Sequence, residues 1–213
     1  KLLIIGSAAA FDNLGKNCGS HPIPNDFDNQ AYIMDLATKE VKAISLDFDP
    51  NIDGLIHWAK GDGKIYFRGE DGFYSRIFVY DPKTEKYDCL PIEVDYVSTF
   101  SMSKEKPSQI AYIGEGYDHA GVAYLYDVKK RSNKLLADPF KKTLDKINLA
   151  KDESWTFTAS DGTVIDGVIC YPPDFDPAKK YPLIVYYYGG TNPSERSIRH
   201  PYTPQMFASR DYV

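Results

Sequence analysis

Apolar and polar residues alternate in short runs along this chain, and the runs return at a fixed spacing. Ala31-Tyr32-Ile33-Met34-Asp35, Ile77-Phe78-Val79-Tyr80-Asp81 and Ala123-Tyr124-Leu125-Tyr126-Asp127 each end in Asp and pass into a polar turn. The Asp residues lie 46 apart (81 − 35 and 127 − 81). The run before each one repeats too, as Leu2-Leu3-Ile4-Ile5-Gly6, Ile65-Tyr66-Phe67-Arg68-Gly69 and Ile110-Ala111-Tyr112-Ile113-Gly114. A period that holds four short strands predicts β-propeller blades. From Gly to Asp there are 12 residues in the second copy (81 − 69), 13 in the third (127 − 114) and 29 in the first (35 − 6). The first copy therefore carries about 17 extra residues within 10–29, among them Gly15, Gly19, Pro22 and Pro24. This reads as a long surface loop, of the kind that often carries function. Asp62-Gly63 and Asp71-Gly72 predict tight hairpins, so 58–67 reads as strand, turn, strand.

The expected fold is mostly β: about three blades of a partial β-propeller over 1–137, then the N-terminal strands of an α/β-hydrolase domain. Closed propellers have roughly 4 to 8 blades, so further blades are expected before Lys1, where the chain opens inside a strand pattern without Met. The Lys-rich stretch with spaced Phe140, Leu144, Ile147 and Leu149 reads as a linker, 138–152, with one helical turn. Residues 153–213 read as a truncated α/β unit. It opens with two strands around Asp161-Gly162, and Pro172-Pro173 stops the second. Leu183-Ile184-Val185-Tyr186-Tyr187 is a continuous apolar run, as expected of a strand buried on both faces of a parallel sheet. Thr203 to Ser209 reads as a short helix, and Tyr212-Val213 opens another strand.

Composition narrows the function classes. With 25 Lys+Arg against 30 Asp+Glu the formal net charge is −5, which excludes electrostatic binding to nucleic acid or anionic membrane as the expected role. A hydrophobic fraction of 43% supports a packed core, and 17 Tyr suit pleated surfaces. No apolar run approaches the roughly 18 residues of a membrane span. Cys18, Cys89 and Cys170 fit neither a zinc site nor a disulfide framework, and Cys170 reads as inert core. His21, His57, His119 and His200 show no ligand spacing, and no metal or cofactor is expected. Asp47 to Gly54 resembles a calcium loop only superficially, because Ile52 and Trp58 occupy the positions that need Gly and an acid. Lys129-Lys130-Arg131 reads as a turn between strands.

The segments Trp58 to Phe67, Ser160 to Gly167, Pro172 to Pro177 and Lys180 to Gly190 occur in the order and spacing of one family. Through them the chain resembles the prolyl oligopeptidase family of serine peptidases along nearly its whole length. The resemblance implies peptide hydrolysis by a Ser-Asp-His triad, with the propeller capping an α/β-hydrolase domain. The nucleophile elbow G-x-S-x-G follows the Gly-Gly strand end in such domains, and this sequence contains none. The nearest look-alike, Cys18-Gly19-Ser20-His21, lies in the blade loop. The triad is therefore expected beyond Val213, and the chain alone is expected to be inactive.

The resemblance places one catalytic candidate here. Tyr188 would donate its hydroxyl to the oxyanion, while Gly189 and Gly190 would turn the backbone beside it. The acylaminoacyl-peptidase branch carries His there, so the branch stays open. The dipeptidyl-peptidase branch uses a Glu pair to hold the substrate amine. No two Glu are adjacent in this sequence, so exopeptidase action is not inferred. His200, after Arg196 and Arg199, reads as part of a solvated loop, with a substrate-facing role as the other reading. The expected partners are a peptide substrate and the remaining polypeptide, or a partner chain, needed to complete both domains. A secreted or periplasmic compartment is favoured over the cytoplasm. The alternative function is a non-catalytic β-propeller that binds protein or glycan.

Overall fold

Strand pairing follows the 46-residue period. The computed structural model describes residues 1–17, 28–103, 105, 108–187 and 196–213. β1 (Leu2–Ser7), β2 (Asn29–Met34) and β3 (Val41–Ala43) form a three-stranded antiparallel sheet. β4 (Asn51–Trp58), β5 (Ile65–Asp71), β6 (Tyr74–Asp81) and β7 (Lys86–Cys89) form a four-stranded meander. β8 (Tyr96–Met102), β9 (Gln109–Glu115), β10 (Val122–Asp127) and β11 (Ser132–Ala137) form the next. A parallel bridge, Ser75↔Tyr96, joins these two meanders. The architecture is a partial β-propeller, with its blades in chain order.

The repeating Asp closes a turn. Asp35 Oδ1 accepts from the N–H of Ala37 at 2.9 Å, Asp81 Oδ1 from that of Lys83 at 2.9 Å, and Asp127 Oδ1 from that of Lys129 at 3.0 Å. A short acceptor side chain mimics the backbone of a turn in this way, which favours Asp here. Four residues after each Asp the chain becomes left-handed, at Lys39 (φ 65°), Glu85 (φ 57°) and Arg131 (φ 50°). The donated N–H groups hold the carboxyls of Asp35 and Asp81 below the ordinary 3.8. The Asp-Gly hairpins form as expected, with Gly63 at φ 75° and Gly72 at φ 58°.

The middle blade is buried on both faces. Alternation sends Ile65, Phe67, Phe78 and Tyr80 into one cluster with Ala31 and Ile44 of the first blade. It sends Tyr66, Ile77 and Val79 into another with Phe100, Ile110 and Tyr112 of the third. Period-2 geometry thus turns the unbroken run Ile77 to Tyr80 into two half-cores. Arg68 pairs with Asp53 and donates from Nη1 to Val97 O at 2.8 Å and Ser98 O at 3.0 Å, which ties the middle blade to the third. At the outer edge, Lys42 pairs with Glu85, and Arg131 pairs with Asp88 at 2.5 Å. One period of 46 carries Lys42 onto Asp88 and Glu85 onto Arg131, so the same inter-blade pair recurs with its charges reversed.

Past β11 the pattern changes as expected. A helical turn, Lys141–Leu144, leads into an antiparallel hairpin of β12 (Lys151–Thr158) and β13 (Val164–Tyr171), whose turn puts Gly162 at φ 90°. Residues 182–187 depart from expectation, because they are exposed rather than buried on two faces: Val185 is 72% and Tyr187 85% accessible. Two hydrogen bonds still mark a parallel start. Val213 N–H donates to Pro182 O at 3.0 Å, and Ile184 N–H donates to Val213 O at 2.8 Å. That pair flanks Leu183 in the pattern of a parallel ladder. A parallel strand is buried only when neighbouring strands and covering helices are in place, and among the described residues Val213 is the partner it has. The short helix Pro204–Ala208, with Pro at its first turn, lies in the crossover between the two segments.

The inter-blade pairs are exposed, so their worth is bounded. A double-mutant cycle on Lys42 and Glu85 is expected to give a coupling of at most about 1 kcal/mol, abolished in high salt. Charge reversal at Lys42 alone lowers the thermal midpoint, and the Lys42→Glu, Glu85→Lys double exchange recovers it.

Candidate functional site

The segment that follows the expected oxyanion position is pinned to the propeller by two arginines. Arg196 is 7% exposed, and its Nε donates to Asp95 Oδ2 at 2.7 Å. Its Nη2 donates to Asp152 Oδ2. Asp95 immediately precedes β8, and Asp152 is the second residue of β12, so one guanidinium joins a blade to the β12–β13 hairpin. The ring centroids of Tyr74 and Tyr117 lie 5.1 and 5.0 Å from its Cζ, within cation–π range. Burial works against the Arg196 charge, but the two carboxylates outweigh it and hold the proton more firmly than usual.

Arg199 adds a second anchor. Its Nε and Nη2 donate to the two carboxylate oxygens of Glu115 at 2.9 and 2.6 Å. Glu115 is 3% exposed at the end of β9, where an unpaired charge would be costly. Ile198 N–H donates to Gly116 O at 2.9 Å. Gln205, in the short helix, donates from Nε2 to Tyr117 O at 3.0 Å and to Ala150 O at 3.1 Å, while its Oε1 accepts from Ala150 N–H at 2.7 Å. The face of the propeller carrying the β9–β10 turn is therefore the face against which residues 196–205 pack.

Burial raises the Tyr117 hydroxyl to about 12 and the Cys170 thiol to about 12, so both stay protonated and unreactive near neutrality. His119 lies in the same turn, with Nδ1 2.6 Å from Asp118 Oδ1. That contact, with Asp95 and Asp138 nearby, raises its pKa above 6.5 against the opposing effect of burial.

Tyr188, Gly189 and Gly190 lie outside the described residues, as do Cys18 and Ser20. The structure brings together the residues just after them, Arg196 and Arg199, but with carboxylates of the blades. His200 contacts Tyr202, with ring centroids 5.8 Å apart, and its Nδ1 accepts from Tyr202 N–H at 3.2 Å. Sequence reasoning missed the clamp. The available signal was Gly114-Glu115-Gly116-Tyr117, an acidic residue at an apolar strand end, next to a turn longer than its counterpart in the middle blade. Among the described residues, no group of three or more His, Cys, Asp or Glu is placed to hold a metal, and no helix is long and apolar enough to cross a membrane.

The described residues form a partial β-propeller with a segment packed on one of its turn faces, and the chain is similar to propeller-containing peptidases of the prolyl oligopeptidase family over most of its length. Over 160 residues it is 28% identical to dipeptidyl-peptidase 5 of Porphyromonas gingivalis, an alignment covering 75% of this chain and 23% of that protein. Its fold matches the acylaminoacyl peptidase of Pyrococcus horikoshii with a TM-score of 0.68 at 21% identity, over 87% of this chain and 27% of the other. It matches dipeptidyl peptidase 4 of P. gingivalis with a TM-score of 0.62 at 16% identity, over 86% and 26%. No family model matches. The chain spans about a quarter of the length of these relatives.

Two outcomes test the clamp. Arg196→Met removes the cation between two carboxylates that keep partial access to water, and is expected to cost about 1–3 kcal/mol in denaturant unfolding. The imidazole of His119 is expected to titrate above 6.5 by NMR, and Asp118→Asn moves the midpoint down. Because the folded pKa is raised, the stabilisation from His119 is complete below about 6.5 and is lost as pH rises through the raised value.

Proposed function

We propose that this chain is the propeller-to-hydrolase junction of a serine peptidase of the oligopeptidase or dipeptidyl-peptidase type. In this reading 1–137 are blades, 138–152 a linker, and 153–213 the opening of the catalytic domain. The observation that carries it is the parallel start between Leu183 and Val213, lying next to a segment clamped on a blade turn. That combination supports a reading in which a hydrolase strand, at whose end acyl chemistry is organised, runs toward the propeller.

The mechanism assigns this chain one donor. A tetrahedral intermediate gathers negative charge on the former carbonyl oxygen, and a neutral donor fixed in advance lowers its energy without reorganising. Tyr188 supplies that donor, because a phenol with pKa near 10 keeps its proton at neutral pH. Gly189 and Gly190 let the backbone pass close to the substrate. The attacking serine, with its Asp and His, belongs to the polypeptide that follows Val213, and this chain alone does not turn over peptide. The substrate is a peptide, and the rest of the polypeptide, or a partner chain, completes both domains.

The test uses the full-length protein and a fluorophosphonate probe. Labelling is expected at a serine beyond Val213 and at none within 1–213. Tyr188→Phe is expected to lower kcat by roughly 10²–10³ with little change in KM. Labelling of a serine within this chain, or an unchanged kcat, refutes the corresponding assignment. A full-length protein that neither labels nor turns over returns the propeller to a binding role.

A further inference from the structure

The extra residues of the first blade fall in sequence between β1 and β2, and the repeat fixes the face on which the described start of that connection, up to residue 17, leaves the blade. The β5–β6 turn, the β9–β10 turn and the β1–β2 connection are equivalent positions in successive blades. The β9–β10 turn holds residues 196–205 through Gly116 and Tyr117, and Tyr74, at the end of the β5–β6 turn, lies beside Arg196. The described part of the β1–β2 connection sits on the same side, where β4 begins. Asn29 N–H donates to Asn51 Oδ1 at 2.9 Å, and the Asn17 side-chain amide donates to Leu46 O.

The described start of this connection is packed onto its blade. Tyr32 donates to Ser7 O at 2.7 Å, and Gly15 passes so close that a Cβ there would lie 2.0 Å from the Tyr32 hydroxyl. Between them Phe11, Asp12 and Asn13 hold φ of 54°, 58° and 67°, a left-handed turn of three residues with side chains. Such a turn is sterically disfavoured for L-residues and persists where the surroundings over-determine it. It sets the Phe11 ring edge-on to Tyr32, with centroids 5.1 Å apart, and leaves Phe11 38% exposed.

We propose that Phe11 is a specificity-determining residue: on the propeller face turned toward the α/β unit, its ring contacts an apolar side chain of the peptide that enters between the two. The inference rests on the peptidase reading for the identity of the ligand. Its support is the strained, packed placement of an exposed aromatic ring on that face.

The test uses the full-length enzyme with Phe11→Ala and Phe11→Leu. The substrates are dye-labelled peptides identical except for Ala, Leu or Phe at one position, walked along the sequence. Both kcat/KM and dissociation constants by fluorescence anisotropy are read. At one position, Phe11→Ala is expected to reduce the preference for Phe over Ala by about 10-fold, within the range of a single apolar contact. Phe11→Leu is expected to retain most of that preference. If the Ala variant fails to fold, the Leu variant still tests the contact, through a several-fold fall in the preference for Phe over Leu. Equal effects on every peptide, or none at any position, overturn the proposal. Wild-type protein that binds peptides but neither labels with fluorophosphonate nor cleaves them refutes the peptidase reading, while the binding ratios still decide the role of Phe11. Wild-type protein that binds no peptide overturns both.

Discussion

A single buried guanidinium constrains the relation between the two parts of this chain. Arg196 needs two carboxylates from different elements, Asp95 at the head of a blade and Asp152 in the hairpin beyond the linker. A charge removed from water is tolerated only where its partners are in place, so the ion cluster forms completely or is costly. Tyr74 and Tyr117 line the guanidinium, and Arg199 repeats the arrangement with Glu115. The blades and the β12–β13 hairpin therefore share a defined contact, with the segment around Arg196 and Arg199 as its strap.

The blades meet this constraint from the other side. A propeller face is only as steady as the packing between blades, and here the middle blade contributes side chains to both half-cores. Arg68 reinforces one of these seams by bridging to the backbone of β8. Rigidity passes from the alternating strands to the turns, and from the turns to the residues they hold.

The blade architecture was legible because each repeat encodes its own turn: Asp35, Asp81 and Asp127 are visible as a period, and their hydrogen bonds explain why Asp recurs. The hairpin of β12 and β13 was legible from Asp161-Gly162. The apolar run ending at Tyr187 suits a buried strand, because hydropathy reports the environment a segment is fitted for, whereas its accessibility depends on the neighbours present. The clamp was not legible. Asp95, Asp152 and Arg196 are far apart in sequence and carry no common spacing, so only the folded topology brings them together. Tyr188 rests on likeness to a family rather than on geometry, since it lies outside the described residues.

The inverted ion pairs at the rim bear on how similar blades tell one another apart. Were the first blade to dock on the third, Lys42 would meet Arg131; were the middle blade to dock on a second copy of itself, Asp88 would meet Glu85. Both of these mismatches bring like charges together, whereas the two seams present bring opposite ones. At these two seams the alternating signs favour the order in which the blades stand.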